Sequence, residues 1–279
     1  MNFVRFAFAG VVVCVLGLIC SGQVLKRTTT KTDTIPLGAG STVSIVGAPN
    51  GSIKVSVVSG NAVQITADIE VQAANETDLA GAAVLTTYVT QESLGKVAIV
   101  SVGADTRRKF TNEEKKLIKR LSGMPYRIDY TISVPRYTNV EIDGGVGDIT
   151  LDGDEGDHRI NAVSSNVTVK IRGGSLAATI AKGELDINVP PSGRRGLNVD
   201  ASVVDGKLSI TIPQNLNADV DASVLRTGRV DNGIASLKPR ERKMPFTDKV
   251  VQARAGVGGP EIKLTVGDGS ILLQPWTDK

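Results

Sequence analysis

Six acidic residues crowd into one stretch, Asp143, Asp148, Asp152, Asp154, Glu155 and Asp157, beside the only histidine, His158. Carboxylates on turns suit Ca²⁺, a hard cation that takes several oxygen ligands, so Asp148, Asp152, Asp154 and Asp157 are weak calcium candidates. The run Asp152-Gly153-Asp154-Glu155-Gly156-Asp157 follows neither the EF-hand loop nor a nonapeptide calcium repeat. Acidic residues also favour turns and keep sheet surfaces soluble, so the expectation is no metal and no cofactor. A polysaccharide hydrolase or lyase needs carboxylates, alone or with a basic partner, converging on one face. Asp143, Asp148 and Arg159 are the candidates for that chemistry. No cysteine and no aromatic platform surrounds them, and the expectation is a protein that is not an enzyme. Sugar stacking needs exposed rings, and Tyr88, Tyr126, Tyr130, Tyr137 and Trp276 are few and scattered.

The elements that position these residues form a pattern over residues 140–212 and beyond. A glycine followed two residues later by Ile, Leu or Val recurs as Gly147-Asp148-Ile149, Gly183-Glu184-Leu185, Gly206-Lys207-Leu208, Gly228-Arg229-Val230 and Gly269-Ser270-Ile271. Degenerate copies stand at Ser165-Asn166-Val167 and Asp248-Lys249-Val250. The spacing is a repeat of about twenty residues. Glycine suits tight turns that need positive φ, and Asn50-Gly51, Asp205-Gly206 and Asp268-Gly269 read as hairpin dipeptides. The structural turn glycines are therefore Gly51, Gly147, Gly183, Gly206, Gly228 and Gly269. Between turns, apolar residues alternate: Leu197, Val199, Ala201 and Val203 on one face, then Leu208, Ile210 and Ile212, then Val220, Ala222 and Val224. Each strand thus has one buried and one wet face.

A unit of this size cannot bury its apolar face alone, so units must stack. The expected fold is all-β: an elongated, β-helix-like β-solenoid of strand–turn–strand repeats with one short helical insertion. Aromatics are only 4% of the chain and the inward Ala162, Ala178, Ala201 and Ala222 suit a narrow core. The alternative is an antiparallel sandwich with similar loop lengths.

Ahead of the repeats, residues 23–40 read as a polar lead-in. Residues 41–135 form an N-terminal β region, with strands at 42–46, 52–58, 62–72, 86–91, 96–102 and 126–134. Asn75 caps a short helix with Glu76 and Asp78 in its first turn. The helical insertion at 105–123 begins with the capping box Thr111-Asn112-Glu113-Glu114, and Leu117, Ile118 and Leu121 share a face among Lys115, Lys116, Lys119 and Arg120. It reads as a loop helix packed on the sheet, or else as a basic amphipathic contact to lipid or a partner. Residues 136–276 are the β-repeat region, continuous with the preceding one as one domain. Trp276 is expected to cap the open end of the stack.

Residues 1–22 carry Arg5, an apolar run from Phe6 to Ile19 and small residues near Gly22, as a secretory signal peptide does. No charge occurs from residue 6 to 25, long enough for an uncleaved anchor and membrane contact, although Lys26, Arg27 and Lys31 oppose the positive-inside bias. Cys20 as a lipidation site is the third reading, weakened by Ile19 where a small residue is needed. Cys14 and Cys20 are the only cysteines, so the body has no disulfide. A net charge of +3 and basic loops at Arg194-Arg195 and at Lys238, Arg240, Arg242 and Lys243, without interleaved aromatics, argue against nucleic acid.

Pro49-Asn50-Gly51-Ser52-Ile53-Lys54-Val55, Tyr130-Thr131-Ile132-Ser133-Val134-Pro135, the Gly-Asp-Ile-type units and Gly258-Gly259-Pro260-Glu261-Ile262 together resemble the bacterial adhesin-like, or toast-rack, domain of unknown function. The resemblance covers about residues 35–275. It implies an exported β-solenoid, alone or on membrane proteins, and brings no active site with it. The expectation is an exported, periplasmic, cell-surface or secreted protein with a structural or adhesive role at the envelope, its partner a protein or polysaccharide. Asp143, Asn198, Asp200, Asp219 and Asp221 form the expected binding face. A membrane-anchored sensor or accessory is the alternative, and a carbohydrate-active enzyme the third reading.

Overall fold

A computed structural model describes residues 24–103, 112–153, 155–191, 196–241 and 245–277. The chain opens with β1 (Leu25–Pro36), β2 (Thr42–Val46), β3 (Ile53–Val58) and β4 (Ala62–Ala73), then passes through helix α1 (Glu76–Leu85). Next come β5 (Thr87–Ser93), β6 (Lys96–Val102), helix α2 (Asn112–Leu121) and β7 (Tyr126–Pro135). The remainder contains β8 (Asn139–Val146), β9 (Ile149–Asp152), β10 (Glu155–Lys170), β11 (Gly173–Asn188) and β12 (Asn198–Ile212). It ends with β13 (Ala218–Val224), β14 (Gly228–Asn232), β15 (Lys238–Pro239), β16 (Val250–Ala255) and β17 (Glu261–Pro275). All 17 strands join one mixed, open sheet.

The four longest strands of the second half bend in the middle. In β11, Leu176, Ala178 and Ile180 are buried, and so are Leu185 and Ile187. Ile180 and Leu185 are an odd number of residues apart and would point to opposite faces of a straight strand. Both reach the core because the strand turns between them at Gly183. The same shift separates Ala162 from Val167 in β10, Val203 from Leu208 in β12 and Val266 from Ile271 in β17. Each of these strands therefore has two arms.

Pairing the arms gives two ribbons. The first runs β5, β6, β2, β8, then the first arms of β10, β11, β12 and β17, then β13, β16 and β15. The second runs β1, β4, β7, β3, β9, the second arms of the same four strands, and β14. The inward side chains of both ribbons make one continuous hydrophobic core, mostly aliphatic. The middle of the stack is parallel, whereas β1–β4–β7, β5–β6 and β13–β16–β15 are antiparallel. A wholly antiparallel sandwich is thereby ruled out.

At the bends, Ser165, Gly183, Gly206, Gly269 and Gly228 stand side by side in register. Gly206 has φ +145°, and a Cβ there would sit on the carbonyl oxygen of Gly183. Only a residue without a side chain lets the corners approach this closely. The hairpin reading of Asn50-Gly51, Asp205-Gly206 and Asp268-Gly269 is corrected: their φ values of +141°, +145° and +138° are far from the about +60° of a type I′ turn. The segments on either side pair with neighbouring strands rather than with each other. Asp248 abuts the corner, its carbonyl accepting from the Val230 amide at 2.7 Å, but leads into β16, antiparallel to β13, and so does not continue the parallel column.

Spatial order also departs from chain order. β2 and β3 lie inside β6 and β7, and β17 is inserted between β12 on one side and β13 and β14 on the other. Trp276, just after β17, consequently does not cap an open end; its amide donates to the Ile212 carbonyl at 2.7 Å. Part of the polar lead-in is the regular strand β1, paired with β4 along its full length.

Two helices stand between the strands, the short one expected after Asn75 and the one expected in the insertion. Asn75 caps α1, its Oδ1 accepting from the Asp78 amide at 2.9 Å, and Leu79, Ala82 and Leu85 are buried. In α2, Leu121 is buried and Ile118 packs on the core, while Arg120 Nε donates to Asp78 at 2.6 Å. Lys115, Lys116 and Lys119 face outward, so α2 is a packed loop helix with a solvated basic side. Thr111 and the side chains of Asn112, Glu113, Glu114 and Leu117 lie outside the described residues, as do residues 1–22, Asp154, Arg194, Arg195, Arg242 and Lys243.

Candidate functional site

Because the parallel strands stack in register, residues that point away from the core line up from strand to strand about 4.8 Å apart. On the first ribbon the outward rows read Glu141, Arg159, Ala177, Asp200, Lys263, Asp221 and Asp143, Asn161, Thr179, Ser202, Thr265, Ser223. A third row holds Asn139, Asp157, Ser175, Asn198, Glu261 and Asp219. Its members are joined by the Asp157 amide to Asn139 Oδ1 at 2.9 Å, Ser175 Oγ to Asp157 at 2.6 Å and the Glu261 amide to Asn198 Oδ1 at 3.1 Å.

All five expected face residues lie on this outer surface, in different settings. Asp143 accepts from Asn161 Nδ2 at 2.8 Å. Asn198 spends its oxygen on the Glu261 backbone, and Asp200 stands exposed between Ala177 and Lys263. Asp219 and Asp221 are tied down: Arg254 Nε donates to Asp219 at 2.9 Å, and Arg240 Nη2 lies 3.0 Å from Asp221, outside hydrogen-bond alignment. Those two carboxylates brace the β13–β16 end, and Asp143, Asn198 and Asp200 are the more open part of the face. Beside it, Lys96 pairs with Glu141 at 2.7 Å, and that hydrogen bond holds the Glu141 carboxyl below its usual range.

The acidic stretch does not converge. Asp148 lies past the bend at Gly147, with Asn166 Nδ2 on its carboxylate at 3.3 Å. Asp152 ends β9 on the second ribbon beside Arg136 and Arg172, and Asp157 starts β10 on the first. The described residues contain no group of three or more His, Cys, Asp or Glu placed to hold a metal. Asp143 and Arg159 share the first ribbon's outer face, but the corner separates them from Asp148. His158 points the other way, into the core between Val140 and Leu176, and is 3% exposed. Neither ring nitrogen has a hydrogen-bond partner among the described residues. Burial pulls its pKa down from 6.5 to about 4, with Asp157 opposing.

Two features were missed in the sequence. Tyr88 and Tyr130 meet edge to face, 5.8 Å between ring centres, and burial pushes Tyr130 up to about 12. Scattered tyrosines gave no sign of meeting, because the contact joins the two ribbons. The other is an open depression of about 600 Å³ among the loops that link strands, lined by Pro190, Pro191, Pro213, Leu216, Val257 and Pro260. The recurrence of prolines after successive strands was the available signal.

No protein-family model and no curated protein matches the sequence. Among solved structures, the chain is similar to a candidate cell adhesion protein from Clostridium sporogenes, with 11% identity and a TM-score of 0.49 over 90% of this chain and 100% of that one. It is also similar to a candidate adhesin from Bacteroides fragilis, at 13% identity and a TM-score of 0.23 over 89% and 97%. A candidate lipid binding protein from Parabacteroides distasonis gives 13% and 0.31 over 88% and 96%. Likeness at this level says nothing of what this chain binds. No helix among the described residues is long and apolar enough to cross a membrane.

Proposed function

We propose that the chain is an exported β-solenoid that binds a protein or polysaccharide at the bacterial cell envelope, without catalysis, through the outer face of its first ribbon. The observation that carries this reading is the register: β8, β10, β11, β12, β17 and β13 present carboxylates, amides and hydroxyls in straight rows at one strand spacing. A rigid, repetitive polar surface matches a polymer or an extended protein surface and binds by many weak contacts, each worth little alone. The bends stacked at Gly183, Gly206 and Gly269 support the solenoid reading, with the interleaved strands as its irregularity. The uncharged run from residue 6 to 25 favours a second reading, an anchored sensor or accessory whose same face meets a membrane partner.

The test is capture of the purified full chain on envelope fractions and on isolated envelope polysaccharides. Asp143→Ala combined with Asp200→Ala should weaken capture about tenfold, roughly 1.4 kcal/mol. Thr168→Ala with Ser209→Ala, on the second ribbon, should leave it unchanged. Equal capture by both variants would sink the face assignment, and release of reducing ends or unsaturated products would sink the non-catalytic part. N-terminal sequencing of the protein from fractionated native cells separates the two readings: Gln23 in a soluble fraction supports the free module, an intact Met1 in membranes the anchored one.

A further inference from the structure

Along the glycine corner, one outward row of the first ribbon is not polar. Val163, Ala181, Val204 and Leu225 follow one another on β10, β11, β12 and just past β13, interrupted on β17 by Gly267. The first, third and fourth are 61%, 47% and 66% exposed, and Ala181 is exposed too. A corner open to water takes Ser, Asn or Asp without cost, and single exposed apolar residues are ordinary. A contiguous apolar ridge rimmed by polar rows is what contact surfaces look like. Continued to β8, where Gly145 is level with Val163, the profile is Gly, Val, Ala, Val, Gly, Leu.

We infer that this ridge is the contact between two copies of the chain, related by a two-fold axis that crosses the ridge between β11 and β12. Such an axis runs the second ridge antiparallel and keeps each flank against its own counterpart. Ala181 then meets the second copy's Val204, Leu225 comes level with Gly145 beside the Pro49 carbonyl, and Val163 comes level with Gly267, which is buried beneath Arg226. The Arg226 guanidinium, held on Asp268 at 2.6 Å, lies over Gly267 and offers Val163 a flat surface.

The charges beside the ridge obey the same axis. Lys182 and Asp205 occupy the next row on β11 and β12, and Glu184 and Lys207 the row beyond the glycines, all four exposed. Reversal puts Lys182 opposite the second copy's Asp205 and Glu184 opposite its Lys207, twice each. Moving the axis onto β11 would instead set Lys182 against Lys182, so the charges choose the register.

Sedimentation equilibrium of the full chain across a concentration series tests this. The expected result is a monomer–dimer equilibrium. Val163→Asp with Val204→Asp should give monomer only, and Lys182→Glu should raise the dimer Kd at least about tenfold, or 1.4 kcal/mol. Lys182→Glu combined with Asp205→Lys should restore it. Thermal melts of each variant confirm folding, and the charge swap stays informative even if the valine variant unfolds. Monomer at every concentration, or a dimer indifferent to all these substitutions, overturns the inference. So does a monomer that binds lipid vesicles through Val204, which would make a membrane the occupant.

Discussion

In a row of aliphatic side chains pointing into the core, between Val140 and Leu176, stands the chain's only histidine. Read along the sequence, His158 neighbours a run of carboxylates and invites a chemical role. Strand alternation sends Asp157 outward and His158 inward, so chain neighbours become opposites. That separation was legible in Ile160 and Ala162, which share the inward phase; the unpartnered ring nitrogens were not, since they depend on Gly153, far from His158's own strand partners, lying against the ring. The buried neutral imidazole predicts an acid-sensitive fold. Above pH 6.5 the ring is neutral folded and unfolded and adds no pH dependence. As pH falls from 6.5 towards about 4, the unfolded chain takes up the proton first and stability drops, by about 3 kcal/mol in all. Below that window both states are protonated and the loss levels off. Urea unfolding at stepped pH should trace this slope in the native chain and lose most of it in His158→Leu; an equal slope in both would assign the acid sensitivity to carboxylates.

The bent strands show what a local motif carries and what it leaves out. The alternation of Leu197, Val199, Ala201 and Val203, and of Leu208, Ile210 and Ile212 after it, is read correctly from the sequence, and all seven are buried. Asp205-Gly206 marks a backbone reversal equally well as a hairpin or as a corner. Which one forms depends on whether the two arms pair with each other or with the next strand, a non-local choice that the dipeptide does not encode. With φ +145° and the Gly183 carbonyl in the way, Gly206→Ala should lose about 3 kcal/mol or more. For a chain of this size that lowers Tm by about 6–12 °C. Gly60 has open space around it and no positive φ, so Gly60→Ala should be neutral or stabilise by about 0.4–1 kcal/mol. Matching melts for the two variants would refute the stacked corner.

At the scale of the whole molecule, the order of strands was the part hidden from view. Every Gly-x-apolar unit resembles every other, so nothing in the pattern says that β17 enters between β12 and β13, or that β2 and β3 lie inside β6 and β7. The five expected face residues still fell on one surface, since outward phase survives any reordering of strands. Their division into open residues and those held by Arg240 and Arg254 did not, because the arginines arrive from β16 and the segment after β15. The rigid polar face and the apolar ridge both presuppose that β17 lies between β12 on one side and β13 and β14 on the other. A chain ended after Pro260 removes that strand, and thermal unfolding followed by circular dichroism is the measurement to make. The threaded stack predicts that the truncated chain loses its cooperative transition. A sharp transition within a few degrees of the intact chain would place β17 at an edge and contradict the architecture on which the proposed binding face rests.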